Sequence, residues 1–254
     1  MFFKSMMVAF STYSIIPVPQ FEWTKENVRY ALCFFPAVGL VLGLIFRLWY
    51  GFCLWIGASA AAFAAVGTCL PLLISGGIHM DGFMDTVDAL ASHQSRERKL
   101  EILKDPGCGA FAVIYCGVYL LMYFGILSAL YESGAFPAFC AVFVISRSLS
   151  GLCAVSMKNA RGSGMLCAFT ENTERRKAAA ILSAEAAAVA LFMLLLSPVP
   201  GICGLALGLL SLAACIRMAK KQFGGVTGDT SGFFLQIFEL SALLGFWTGV
   251  LLKW

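Results

Sequence analysis

Asp81, Asp85 and Asp88 stand inside the stretch GGIHMDGFMDTVDAL, residues 76–90. Their spacing is i, i+4 and i+7. On an α-helix this places them on one arc of about 60°. Three carboxylates on one stripe repel one another, and each raises its neighbours' pKa unless a cation sits between them. Hard oxygen donors in this pattern suit Mg²⁺ or Mn²⁺, held by a few carboxylates together with substrate phosphates. Gly76, Gly77 and Gly82 let a backbone or a ligand approach closely. The competing reading is a solvated acidic helix start, favoured by the helix dipole. The cluster directly follows an apolar segment, and the chain has little other acidic surface, which favours the metal. His79 lies two residues before Asp81, on the opposite side of any continuous helix. Metal ligand, general base and hydrogen-bonded core histidine are all open for it. His93 sits in a polar stretch and reads as solvated.

A second polar stretch, FGGVTGDTSG (223–232), joins two apolar runs. Glycine-rich backbone with exposed N–H groups, Gly225 among them, makes an anion-binding nest. Thr227, Thr230 and Ser231 could donate to phosphate, and Asp229 could complete a metal shell. The G-K-[ST] ending of a Walker A loop is missing. A plain turn is the alternative, but a turn does not need ten such residues. Arg147 falls in the middle of an apolar run, FVISRSLSG. An arginine there is costly and marks a functional site by default. Its planar fork suits phosphate, and Glu239 or Glu185 could be its internal partner. Arg161, in KNARGSGM, lies beside glycines that could cradle phosphate. Arg175, Arg176 and Lys177 read as a topology signal and a contact for anionic lipid. Together these features suggest metal-assisted phosphoryl transfer at a membrane surface. No Ser-His-Asp signature or covalent nucleophile is evident.

The elements that must position these residues are apolar. The 254-residue chain is 60% hydrophobic and only 13% charged, against about 25% charged in an ordinary soluble domain. Its mean hydropathy is +0.85. Several continuous apolar runs are long enough to cross a bilayer, and they lack the alternation of a β-barrel. The expected fold is all-α: a polytopic helical membrane protein, a single domain of about seven spans. These cover roughly 31–50, 54–75, 109–131, 135–156, 178–197, 200–217 and 233–252. Residues 1–30 read as an interfacial or re-entrant segment, because Pro17 and Pro19 break the run and no signal-peptidase site follows. The ten cysteines form no C-x-x-C pair, so neither a disulfide framework nor a zinc site is implied.

Lys and Arg alternate along the connections. They precede the first span (Lys4, Lys25, Arg29). They fill the second connection (Arg96, Arg98, Lys99, Lys104), the fourth (Lys158, Arg161, Arg175, Arg176, Lys177) and the sixth (Lys220, Lys221, with Arg217 at its edge). The first, third and fifth connections have none. The positive-inside rule then puts the N-terminus and these three loops in the cytoplasm. Loops 76–108, 157–178 and 217–232 also hold nearly all the polar chemistry, so the active site is expected on the cytoplasmic face. The net charge of +4 needs no nucleic acid to explain it.

These motifs resemble the cobalamin synthase family, over nearly the full chain. GGIHMDGFMDTVDAL is close to the family's G-G-hydrophobic-H-x-D-G-hydrophobic-x-D-T-x-D-G. LEILKDPGCGAF (100–111) is similar to L-E-I-M-[KR]-D-S-R-x-G. FFPAVGLVLG, SRSLSG and FGGVTGDTSG also match. The resemblance implies a Mg²⁺-dependent ribazoletransferase in a bacterial cytoplasmic membrane. It would join adenosylcobinamide-GDP to α-ribazole or its 5′-phosphate and release GMP. The resemblance implies that a ribose hydroxyl attacks the phosphorus nearer cobinamide. The residues read above give Asp81, Asp85 and Asp88 as metal ligands with Asp229 as a possible fourth, and His79, Lys104 and Asp105 as catalytic candidates. Arg147, Arg161, Gly225, Thr227 and Thr230 become substrate-binding candidates. Ala89 stands where the family often has Gly, Gly107-Cys108 where it has an arginine, and Ile15 or Ile16 where another arginine is familiar. Phosphate contacts therefore fall to residues such as Lys104 or Arg147. A CDP-alcohol phosphotransferase is the nearest alternative, but its D-x-x-D-G-x-x-A-R pattern is absent. A cation or small-solute transporter would keep its acidic residues nearer the bilayer midplane. The partners expected are the two substrates and the lipid bilayer, with assembly into a homo-oligomer left open.

Overall fold

The computed structural model describes residues 2–252. It is helical from end to end. The N-terminal α1 (Phe2–Tyr13) is followed by an irregular stretch and the short α2 (Lys25–Val28). A 3₁₀ turn leads into α3 (Phe35–Ile56), and α4 (Ala60–Ser75) returns. Then come α5 (Ile78–Ala91), α6 (Arg96–Ile102) and α7 (Ala110–Leu130). The short α8 (Phe136–Phe139) precedes α9 (Val142–Ser156), and α10 (Met165–Glu171) lies in the next connection. Three long helices close the chain: α11 (Arg175–Leu196), α12 (Pro198–Gln222) and α13 (Gly228–Leu251). Among the described residues the one extended contact is an isolated parallel bridge between Asn159 and Val226.

Six segments are long and apolar enough to cross a bilayer: Lys25–Ile56, Ala110–Ser133, Phe136–Ser156, Arg175–Leu196, Pro198–Gln222 and Gly228–Leu251. The chain is a multi-pass helical membrane protein. The second expected span differs from a simple crossing. Helix α4 has 16 residues, about 24 Å at 1.5 Å per residue, and α5 departs from it at 93°. The bend is built by Gly76 and Gly77, with φ of 63° and 79°. Consecutive left-handed residues are costly for any side chain with a Cβ. The three aspartates therefore ride on a helix of their own, the second arm of a bent pair that brings the six crossing segments to seven when the pair is counted as one broken span.

Helix α9 is the buried hub, packed by α3, α11 and α13. Outward-facing Leu48, Leu121, Leu195 and Leu210 are exposed, as expected of surfaces that meet lipid. Helices α12 and α13 form the tightest pair. A Cβ on Gly208 would lie 2.8 Å from the Phe238 ring, and one on Gly249 would lie 2.5 Å from Pro200 Cα. Small residues at such crossings let backbones approach, which is how helices associate without a hydrophobic drive.

Candidate active site

The two acidic motifs meet because α5 and α13 touch backbone to backbone. A Cβ on Gly82 would lie 2.9 Å from Asp229 Cα, and one on Gly232 would lie 2.9 Å from the His79 carbonyl oxygen. This contact sets Asp81 and Asp85 of α5 beside Asp229 in the first turn of α13. We expect Gly82→Val to wedge the helices apart and lower turnover by about 10²-fold, since a 1 Å misplacement of reacting groups costs that much. Rates measured beside circular dichroism of the purified variant check this. An unchanged rate would show that the close approach is not needed.

Asp85 feels the crowding most. Burial raises its pKa first, then the charges of Asp81 and Asp229 and, more weakly, Asp88; Arg161 opposes them, and the result is about 7. Arg161 pairs with Asp229 at 3.0 Å. Its guanidinium also donates to the Leu103 carbonyl at 2.5 Å. Asn159 Oδ1 accepts from the backbone N–H of Arg161 (2.9 Å) and Gly162 (3.1 Å), which holds the loop in a tight turn. One arginine thus ties together residues from all three polar connections.

Asp88 departs from the stripe. One carboxylate oxygen accepts from the Gly109 N–H at 2.5 Å and the other from the Ala112 N–H at 2.9 Å. It caps the N-terminus of α7, whose own N-cap residue, Gly109, has no side chain to do so. This is the usual role of a carboxylate at orphan helix donors.

A cavity of about 230 Å³ opens beside this cluster. Asp81, His79, Arg161, Thr227 and Asp229 line it. Several other expected contacts lie elsewhere. Lys104 and Asp105 are exposed and do not line the cavity; Asp105 accepts from the Gly107 N–H at 2.8 Å. Arg147 is sealed inside the helix bundle. It pairs with Glu239 at 2.8 Å, and Ser146 donates to the same carboxylate oxygen at 2.7 Å. Glu185, the other candidate partner, is left with a buried Oε2 that meets no hydrogen-bond partner. Arg147 is therefore a structural charge here, not a phosphate contact.

Thr227 and Thr230 form a capping box at the start of α13. Thr230 N–H donates to Thr227 Oγ1 at 3.1 Å, and Thr227 N–H donates to Thr230 Oγ1 at 2.8 Å. The hydroxyls read as phosphate donors are occupied with helix ends, and Thr230 is fully buried. Gly225 serves backbone pairing. Val226 N–H donates to the Lys158 carbonyl at 2.9 Å, and Ala160 N–H donates to the Val226 carbonyl at 2.8 Å. A Cβ on Gly225 would collide with the Lys158 carbonyl. The nest expected from these glycines is a seam between two loops.

His79 is buried, and its Nε2 lacks a partner. Burial, then the charge of Arg147, holds its pKa well below the usual histidine range. The sequence reading missed Asn159, Ser150 and Tyr13, all of which line the cavity. Asn159 carried a signal, since it sits in the polar motif that drew attention to Arg161. Tyr13 carried none.

The donors suit a hard divalent ion. Among the described residues no three His, Cys, Asp or Glu side chains converge as a finished cage. Mg²⁺ needs fewer, because it is bound through one or two carboxylates, waters and substrate phosphates. Asp81, Asp85 and Asp229 supply oxygens whose mutual repulsion a cation relieves. The residues therefore fit Mg²⁺.

Residues 5–247 match the cobalamin-5-phosphate synthase family. A protein of Lachnoclostridium phytofermentans named adenosylcobinamide-GDP ribazoletransferase is 43% identical, covering 94% of this chain and 91% of its own. Proteins of the same name from Clostridium botulinum (31% identical, 95% and 96% covered) and Pseudomonas entomophila (34%, 87% and 89%) are also similar. No solved structure matches. With matches of this extent, the chain belongs to the cobalamin-5-phosphate synthase family.

Proposed function

We propose that this protein is a Mg²⁺-dependent adenosylcobinamide-GDP ribazoletransferase of the bacterial cytoplasmic membrane, with its N-terminus and its site facing the cytoplasm. The observation that carries the reading is the meeting of Asp81, Asp229 and Arg161 at one cavity, with Asp85 near enough to feel the charge of all three. This is a hard-ion donor set with a guanidinium beside it, which is what a diphosphate requires.

Asp81, Asp85 and Asp229 would hold Mg²⁺. When bound, the ion neutralises diphosphate oxygens and stabilises charge developing on the departing phosphate. Arg161 sits where it can turn from Asp229 to a phosphate oxygen of the leaving GMP. The ribose hydroxyl of the acceptor forms a new O–P bond at the phosphorus nearer cobinamide. The bridging O–P bond to GMP breaks. The hydroxyl proton passes to a carboxylate oxygen of the cluster, Asp81 and Asp229 being the two that line the cavity. Asp88 anchors α7 and so fixes the far end of the acidic helix. Lys104 and Asp105 are exposed and do not line this cavity.

The test is GMP release from adenosylcobinamide-GDP and α-ribazole by purified protein in detergent or proteoliposomes. Release that requires Mg²⁺ and stops with a chelator is expected. A folded, monodisperse preparation that releases no GMP would sink the proposal. Arg161→Ala is expected to cost about 10²-fold, the scale for one lost charge-stabilising donor. An unaltered rate would remove Arg161 from the phosphate site.

A further inference from the structure

A second depression, of about 410 Å³, opens one helical turn beyond the acidic centre. Asp88 lines it, and Asp88 follows Asp85 by one turn of α5. Its other walls are the loop before α7 and the first turn of that helix, with Asp105, Cys108 and Phe111. The same loop is tied to the acidic centre from the other side. Arg161, paired with Asp229, donates to the carbonyl of Leu103, two residues before Asp105. A substrate whose diphosphate lies at Asp81, Asp85 and Asp229 therefore has this depression within reach of its nucleoside.

The lining selects what can sit there. Asp105 Oδ1 accepts from the Gly107 N–H at 2.8 Å, which fixes the carboxylate. Among the described residues nothing donates to its Oδ2. Phe111 is 52% exposed, which leaves a ring face open for stacking. Both oxygens of Asp88 are taken by the start of α7, so that helix end is closed to an anion. No Lys or Arg lines the depression.

We propose that this depression binds the guanine base of the nucleotide substrate, with Asp105 accepting from guanine N1–H and the 2-amino group while Phe111 stacks on the ring. The proposal rests on the ribazoletransferase reading. Guanine is the part of the two substrates that presents two adjacent N–H donors on a flat ring. A carboxylate, an acceptor at both oxygens, takes such a pair side by side. The diphosphate meets no counter-charge here. The benzimidazole of α-ribazole has no ring N–H once one nitrogen carries ribose. The adenine of the adenosyl group sets an acceptor, N1, beside its amino group, and that lone pair would face the carboxylate. Asp105 is then a specificity-determining contact at the far end of the nucleotide from the reacting phosphorus.

The experiment is calorimetric titration of GMP, IMP and AMP, with Mg²⁺, onto the purified protein in detergent. IMP keeps N1–H and lacks the 2-amino group. Wild-type protein is expected to bind GMP about tenfold more tightly than IMP, the scale for one hydrogen bond to a charged acceptor, and AMP more weakly again. Asp105→Ala should bind GMP at least about tenfold more weakly and treat GMP and IMP alike. In turnover it should raise the KM for adenosylcobinamide-GDP and leave that for α-ribazole unchanged. Asp105→Asn keeps an oxygen for the Gly107 N–H and puts an amide donor where Oδ2 accepted. It should exchange the preference, binding XMP, whose C2 carbonyl accepts, more tightly than GMP. A residue that only shaped the loop would weaken every nucleotide together and exchange nothing. Absent GMP binding, equal affinity of the wild type for GMP and IMP, or a GMP preference that survives either substitution would overturn the proposal. The wild-type comparison needs no variant to fold. A protein that prefers GMP in this way yet releases none from adenosylcobinamide-GDP would support the base site and reject the activity. One that releases GMP but binds GMP and IMP equally would reject the site and leave the activity standing.

Discussion

Asp85→Asn is expected to abolish GMP release while leaving the protein inserted and folded. Asp85 is the carboxylate most hemmed in by its own kind, with Asp81, Asp229 and Asp88 all raising its pKa. In the free protein that crowding is a liability, only partly offset by Arg161. Asparagine has the same shape and no charge. It relieves the repulsion, so stability should be unchanged or improved. The same change removes the charge that draws a divalent ion into the cluster. The loss should be at least about 10²–10³-fold, the scale for a single lost electrostatic stabiliser. Initial rates across a Mg²⁺ series, with melting temperature read in the same detergent, would show activity and stability moving in opposite directions. Wild-type rates would remove Asp85 from the metal site. A variant that loses activity only because it aggregates would instead show a lower melting temperature.

Why such a cluster could be seen in the sequence, while its neighbours were misread, is a matter of range. The i, i+4, i+7 spacing of the aspartates is a property of one helix, and their chemistry follows from residue type alone. The spans were legible for the same reason, because continuous apolarity is a local signal. The bend at Gly76–Gly77 was partly legible, since paired glycines permit a sharp turn, but its 93° angle depends on what α5 packs against. Thr227 and Thr230 show a real ambiguity. A hydroxyl that caps a helix N-terminus and one that binds phosphate occupy the same sequence context, because both exploit the same orphan N–H region. Gly225 was read as a nest for the same reason that it serves a backbone seam: both need the absence of a Cβ. Asp88 could not be separated from Asp81 and Asp85 without knowing that α7 begins beside it. Tyr13 reaches the cavity from an N-terminal helix about 65 residues before His79, a contact that no local pattern encodes.

Arg147 is the residue whose misreading has the largest energetic consequence. Its charge and that of Glu239 are both about 1% exposed, on helices α9 and α13 at the centre of the bundle. Arg147→Ala strands a buried carboxylate. Removal of one partner from such a pair costs roughly 3–5 kcal/mol, because the remaining charge is uncompensated. Arg147→Met with Glu239→Gln removes both charges and should recover much of the loss, since a buried pair is often worth little against neutral residues of similar size. Thermal unfolding of the two single variants and the double variant in one detergent gives the coupling directly. Additive losses would mean that the pair is not an energetic unit. The consequence reaches the cavity as well. The Arg147 guanidinium lies 5.8 Å from the Phe35 ring, and its side chain packs where α3 meets α9 at Gly39. Phe35 in turn packs against the Tyr13 and His79 rings, and all three line the cavity. The double variant should therefore fold yet release GMP more slowly than wild type. A membrane-buried arginine would then act on the site at one remove, through the side chains that line its cavity.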